Sequence, residues 1–181
     1  MQEEVTQKTI AIYVKVGKGA ARLTEQALQK AIQKFLEQKS KPAHGKQTIL
    51  EDEQFARLIE EAEKYVGFPY VWGGSSPETS FDCSGFVSYV LTNSGLYNTG
   101  RLGAQGLYNI STRVSNPQPG DLVFFTGTYD TPGVSHVGIY VGEDGDGSPV
   151  MLHCGDPIQY AKLDTSYWQS HFYAYGRLHY N

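Results

Sequence analysis

Three side chains in this 181-residue chain, Cys83, His136 and His153, are of the types and in the order needed for acyl transfer through a thiol. Cys83 stands in Phe81-Asp82-Cys83-Ser84-Gly85-Phe86 and opens an apolar run that predicts a helix to about Asn93, ended by Ser94-Gly95. A cysteine at a helix N-terminus feels the positive end of the dipole and its free N–H groups, which favours the thiolate. A thiolate nucleophile also needs a base to hold its proton and return it to the leaving amine, and that base needs an orienting partner. His136, within the strand-like Val134–Tyr140, suits the first role, and His153, ending Val150-Met151-Leu152-His153, suits the second. Strand alternation puts His153 and Cys154 on opposite faces, so Cys154 is assigned to the core. Asp82 and Ser84 flank the thiol and could fix a substrate amine or carboxylate, or cap the helix. The Cys83 backbone N–H is a natural oxyanion donor, and Tyr70 and Trp72, just before Gly73-Gly74, would supply an aromatic wall.

Each of these residues has a plain structural reading of its own. A lone cysteine is most often a small buried hydrophobe and a lone strand histidine a core group, so the argument rests on their joint order. A zinc site from Cys83, His136, His153 and Cys154 is the rival use of the same atoms. It lacks paired Cys-x-x-Cys or His-x-x-x-His spacing, and adjacent His153 and Cys154 cannot easily bind one ion from one strand. Ser84 does not sit in a Gly-x-Ser-x-Gly elbow. Asp156, His171 and His179 have no partner that the sequence can name and are read as structural.

The elements that must position these groups fall into two textures. Leu23, Ala27, Leu28, Ala31, Ile32, Phe35 and Leu36 form one helical stripe, ending near Gln38. Residues 9–17 are ambiguous between strand and helix, and Lys39–Lys46, with Pro42 and Gly45, reads as a linker. A second helix carries Phe55, Leu58, Ile59, Ala62, Tyr65 and Val66 on one face, with an acidic first turn at Glu51, Asp52 and Glu53, and stops at Gly67. Residues 96–118 read as loop with one helical turn near Ala104–Tyr108. Asp121–Thr126, Val134–Gly142, Pro149–Cys154, Ile158–Lys162 and Phe172–Leu178 are then short strands between turn residues. Helices first and an antiparallel meander afterwards predict an α+β fold.

Composition narrows the class. The length suits one catalytic domain and a small appendage. The formal charge of −4 hides an asymmetry: residues 1–50 carry nine Lys and Arg against four Asp and Glu, a net +5, and the rest a net −9. A basic arm could contact nucleic acid or an anionic surface, but such arms are more often solvated helix faces. Two cysteines are too few for a disulfide framework, no stretch approaches the ~20 apolar residues of a membrane span, and Met1–Lys8 lacks the features of a secretory signal.

Four segments, Tyr70-Val71-Trp72-Gly73-Gly74, Phe81–Val87, Pro119-Gly120-Asp121-Leu122-Val123-Phe124-Phe125 and Ser135-His136-Val137-Gly138-Ile139-Tyr140, resemble in order the NlpC-type cell-wall cysteine peptidases. The ending, His153–Tyr160 and Tyr167–Phe172, is similar to the peptidase half of CwlT-type hydrolases of conjugative elements. The resemblance implies a papain-like fold over residues 49–181, with the nucleophile at a helix N-terminus against about five antiparallel strands. It implies cleavage of peptidoglycan stem peptides between γ-D-glutamyl and a diamino acid, through a thioester and without metal or organic cofactor. Carried over by motif, Cys83 is the nucleophile, His136 the base and His153 its orienting partner, while Tyr70, Asp82, Ser84 and, by a looser match, Arg101 line the substrate end. An amidase or acyltransferase on the same scaffold, or a non-catalytic wall-binding or conjugation-associated module, are the alternatives. Such a substrate implies a secreted or wall-associated protein, although no signal peptide is visible. The long acidic turn Gly142–Pro149 makes the His136-to-His153 spacing of 17 wider than the family's, which a hairpin extension would absorb. Residues 1–48, a helical appendage and linker, resemble instead a small relaxosome accessory protein, which implies a conjugation-machinery partner.

Overall fold

A computed structural model describes residues 46–180. The expected Leu23–Leu36 helix, the 9–17 segment and nearly all of the linker lie outside the described residues, as does most of the segment resembling a relaxosome protein.

Helix α1 (Lys46–Glu63) exists because Phe55, Leu58, Ile59 and Ala62 recur on one face, and all four are buried. It differs from expectation at both ends. It begins before the acidic trio, so Glu51, Asp52 and Glu53 lie beyond its first turn. It stops at Glu63, where Tyr65 N–H bonds the Ala62 carbonyl at 3.2 Å and Val66 N–H the Glu63 carbonyl at 3.3 Å, tight i−3 turns that leave Val66 exposed. The chain then passes through a two-stranded ribbon, β1 (Ser75–Ser76) and β2 (Ser80–Phe81), into α2 (Cys83–Asn93). Helix α2 is buried on nearly all sides, its Phe86, Val87, Val90 and Leu91 fully enclosed. It ends at Ser94, with Gly95 at φ 73°. A six-residue α3 (Ala104–Asn109) follows, near the expected helical turn.

The sheet has six antiparallel strands: β3 (Thr112–Val114), β4 (Leu122–Thr126), β5 (Val134–Glu143), β6 (Pro149–Cys154), β7 (Ile158–Lys162) and β8 (Phe172–Arg177), in the order β3-β8-β4-β5-β6-β7. Five correspond to the expected strands. The sixth, β3, is a three-residue edge strand in the segment read as loop. Between β7 and β8 lies a second unforeseen element, α4 (Ser166–His171).

Period-2 alternation divides the sheet's side chains between two cores. Leu122, Phe124, Val137, Ile139, Val141, Val150, Leu152 and Cys154 face α1 and α2 in the larger one. Val123, Phe125, Tyr140 and Met151 face the other way, into a smaller cluster closed by Leu163 and Trp168. At the β4 start Arg177 forms a bidentate pair with the buried Asp121, Nε to Oδ1 at 2.8 Å and a terminal nitrogen to Oδ2 at 2.7 Å, which ties β8 to β4. None of the described helices is long and apolar enough to cross a membrane.

Candidate active site

Asp82 organises the start of α2. Its extended backbone (φ −94°, ψ 179°) makes it the N-cap, and Oδ1 accepts the Gly85 N–H at 2.7 Å and the Ser84 hydroxyl at 3.1 Å. Oδ2 accepts the Gly73 N–H at 3.0 Å and a terminal Arg101 nitrogen at 2.5 Å. The other terminal nitrogen of Arg101 donates to the Ser84 hydroxyl at 3.0 Å and the Leu102 carbonyl at 2.6 Å. Asp82, Ser84 and Arg101 are thus one network beside the thiol, although Arg101 comes from a loop with only a loose sequence match. Of the two roles open to Asp82, the helix cap is the one seen directly in its hydrogen bonds.

Close backbone approach explains the glycines here. A Cβ on Gly85 would stand 2.0 Å from the Gly74 carbonyl oxygen, and one on Gly74 2.5 Å from that of Ser80. Only glycine lets the Gly73-Gly74 turn lie directly on the first turn of α2.

The Cys83 sulfur lies against β5. It is 3.9 Å from the Ser135 carbonyl oxygen and also meets the Val137 N–H. Ser135 and Val137 flank His136 and turn their backbone groups to the same strand edge. That edge is open because the β5–β6 register runs from Ile139↔Leu152 toward the hairpin end, and stops short of these residues. The thiol sits where the ladder has parted, at the position of His136.

The two histidines meet as expected. His136 Nε2 and His153 Nδ1 are 3.0 Å apart, both residues buried. The β5–β6 hairpin absorbs the long turn at its far end, where Glu143 pairs with Pro149, so the wide sequence spacing leaves this contact intact. His136 Nε2 is engaged by His153, which leaves Nδ1 as the ring nitrogen available to the thiol. Cys154 points the other way, its sulfur 3.2 Å from the Phe81 carbonyl oxygen in the larger core. Among the described residues no three His, Cys, Asp or Glu side chains converge as a metal site would require.

The electrostatics depart from the helix-dipole expectation. Burial pushes the Cys83 thiol up to about 11, and the Asp82 charge adds to it; the Val137 and Ser84 N–H groups and the Arg101 charge oppose this without overcoming it. Burial also pushes His136 down to about 3, helped by His153, and His153 down to about 4. Burial therefore disfavours both a thiolate and an imidazolium in the resting site.

Aromatic side chains enclose this centre. Tyr70 is partly buried, with its hydroxyl raised first by burial and then by the charges of Cys83 and Asp82. Its N–H bonds Asp156 Oδ1 at 3.2 Å, so Asp156, left without a partner by the sequence, supports the same loop. Trp72 is 71% exposed and meets Tyr129 edge to face at 5.1 Å. Tyr129 was not anticipated. Its loop is pinned by Thr128, whose N–H reaches the Ser135 hydroxyl at 3.0 Å, and by Gln105 Oε1, which accepts the Val134 N–H at 2.9 Å. Trp168, within the Tyr167–Phe172 segment, touches both histidines. His171 and His179 lie apart from the thiol site, the first stacked on Tyr167 and the second beside the Thr112 hydroxyl at 3.1 Å.

A helix-borne thiol packed on an antiparallel sheet that carries paired imidazoles is a papain-like α+β arrangement. Residues 67–177 match the NlpC/P60 family, and the chain belongs to that family. It is 40% identical over 141 residues to the bifunctional muramidase/DL-endopeptidase CwlT of Bacillus subtilis, covering 76% of this chain and 39% of that protein. It is also 40% identical over 114 residues to the γ-DL-glutamyl hydrolase of Bacillus subtilis, covering 62% of this chain and 27% of the relative. The chain thus spans well under half the length of these relatives. Among solved structures, a lipoprotein-like NLP/P60 protein of Staphylococcus aureus superposes with a TM-score of 0.66 at 36% identity, over 88% of this chain and 51% of that one. The NlpC/p60 domain of the peptidoglycan hydrolase SagA gives 0.50 at 30% identity, over 68% and 98%.

Proposed function

We propose that this chain is a cysteine endopeptidase of peptidoglycan stem peptides that cuts the bond between a γ-D-glutamyl residue and a diamino acid. The observation that carries the proposal is the Cys83 thiol lying against the backbone on both sides of His136, whose far nitrogen is held 3.0 Å from His153. Relatives named DL-endopeptidase and γ-DL-glutamyl hydrolase support the substrate class.

Burial disfavours the separate thiolate and imidazolium, which favours forming the nucleophile during attack. His136 Nδ1 takes the thiol proton as Sγ adds to the scissile carbonyl, and His153 accepts the hydrogen bond from the His136 Nε2–H and steadies the imidazolium. In the first turn of α2 the Gly85 N–H is bound by Asp82 and the Ser84 N–H points at the sulfur. The Cys83 N–H remains for the carbonyl oxygen as it becomes an oxyanion. His136 then gives its proton to the leaving amine, the acyl group stays on sulfur as a thioester, and a water activated by His136 hydrolyses it. Tyr70 and Trp72, with Tyr129, wall the groove, and the Asp82–Ser84–Arg101 network presents polar groups at its substrate end.

The test is mass spectrometry of purified muropeptides incubated with wild type and Cys83→Ala under reducing conditions. A wild-type product cut between the second and third stem residues, absent with Cys83→Ala, is expected. Equal cleavage by the two proteins would remove Cys83 from the chemistry, and cleavage of the amide that joins the sugar to the stem peptide would point to an amidase.

A further inference from the structure

Helix α4 has an unusual composition for an element that packs on a core: none of its six residues is fully buried. Trp168 is its residue in the smaller cluster of the sheet. The Trp168 ring lies nearly parallel to that of His136, with centroids 5.3 Å apart and planes at 26°. It meets the His153 ring edge to face at 5.1 Å and 84°, and packs on Phe125 at 4.6 Å. The helix is fixed by its own cap, with the Thr165 hydroxyl accepting the Trp168 N–H at 3.4 Å, so the capped residue is the one that reaches the imidazoles.

We propose that Trp168 is a positioning residue: it clamps the His136 and His153 rings in the relative orientation that directs His136 Nδ1 at the Cys83 thiol, and it keeps water from their hydrogen bond. This rests on the reading of His136 as the base. The flat contact stops His136 from rotating about its ring axis, and the edge contact fixes the plane of His153. Two orthogonal rings bonded through one nitrogen each are otherwise free to swivel, and a base turned out of line loses part of its effect. The indole face has a second consequence. When His136 takes the thiol proton it becomes a cation 5.3 Å from the Trp168 ring centre, within range of a cation–π attraction. The same residue therefore dries the neutral pair and receives the charged one.

The titratable groups facing His136 are His153 from β6 and Cys83 from α2. Strand β4 presents Phe125, and α4 presents Trp168, its Tyr167 and His171 stacking on each other instead. Removing the cover hydrates the pair, so the acidic limb of the pH profile should move up, toward the ordinary imidazole value.

The experiment measures kcat and KM against pH on a γ-D-glutamyl–diamino acid peptide for wild type and Trp168→Ala, Trp168→Leu, Trp168→Phe and His136→Ala, with thermal unfolding of each. For Trp168→Ala we expect kcat lower by about 10- to 100-fold with KM nearly unchanged, and an acidic limb displaced upward. Trp168→Leu, which keeps cover without a flat ring, should hold the acidic limb but lose kcat, and Trp168→Phe should restore most of it. A folded Trp168→Ala with wild-type kcat and acidic limb would overturn the proposal. So would three variants that fall equally with unmoved limbs, which is the behaviour of a residue that only fills space. Phe and Leu keep the test open if the Ala variant does not fold. Activity in His136→Ala would instead overturn the assignment of the base, whatever the tryptophan variants do.

Discussion

The two faces of the sheet are both apolar and both buried, yet they do different work. The face toward α1 and α2 carries aliphatic and aromatic side chains with Cys154 among them, and its largest residues are fully enclosed. The opposite face is smaller and holds both histidines under one tryptophan. The thiol arrives from the first side and the imidazoles from the second, and they meet where β5 and β6 have separated. Adjacent residues of β5 can therefore belong to different functions. One residue of register shift would exchange them.

The sharpest way to break this comparison is the neighbouring pair His136 and Val137. His136→Ala should lower peptide hydrolysis by ~10⁴-fold or more with a small change in melting temperature. Val137→Ala should leave the chemistry within a few-fold while costing about 2 kcal/mol of stability, because its side chain lies in the larger core and its N–H is retained. Turnover assays and thermal melts on both variants check this, and comparable loss of activity in the two would erase the division of faces.

Next in size is Gly85→Ala. The added carbon would overlap the Gly74 carbonyl at 2.0 Å, so the turn must move off the helix. A destabilisation of about 1–3 kcal/mol is expected, accompanied by loss of activity because Asp82 binds Gly73 in the same turn. Chemical denaturation measures the first and the peptide assay the second.

Acid should act on the imidazole side. Both histidines have folded values below their unfolded ones, so the unfolded state binds more protons between about 3 and 6.5 for His136 and between about 4 and 6.5 for His153. Stability then falls as pH drops through that window. A His136→Gln, His153→Gln variant should show a shallower decline of unfolding free energy between pH 6.5 and 4; an unchanged slope would place the acid sensitivity elsewhere. The smallest effect concerns the two thiols. Both are raised by burial, Cys83 to about 11 and Cys154 to about 12. Iodoacetamide should thus modify the native protein slowly at neutral pH, Cys83 ahead of Cys154, with peptide mapping as the readout. Labelling of Cys154 first would contradict its place in the larger core.

Much of this architecture was legible in the chain, for stated physical reasons. Strands β4 to β8 are short β-branched or aromatic runs between turn residues, and α1 repeats its apolar positions at helical steps, so their types and approximate limits could be read directly. The opposite facing of His153 and Cys154 followed from strand alternation, whereas the pairing of His136 with His153 was read from the need of a base for an orienting partner and from the motif resemblance. What escaped has no period. Strand β3 is three residues on an edge, two exposed and one half-buried, and α4 is too short to show a stripe. Trp168 and Tyr129 lie far along the chain from Cys83, and only the closed sheet brings them near it. The helix start that favours a thiolate is a local feature visible in the sequence, whereas the desolvation that opposes it comes from strands more than 50 residues away. Arg101 had a loose match, yet its contact with Asp82 is direct.

The β5–β6 hairpin also suggests a practical use. Seven residue steps of strand lead from His136 to Glu143, about 23 Å at the usual rise. The turn beyond is held by its own bonds, with Asp144 Oδ1 accepting the Asp146 and Ser148 N–H groups at 2.9 and 3.0 Å, and Lys162 pairing with Asp144 at 2.7 Å. A fluorophore, biotin or immobilisation tether attached through the exposed Gly145 position would ride on a self-supporting tip remote from the groove, giving a handle for following the enzyme without touching its chemistry.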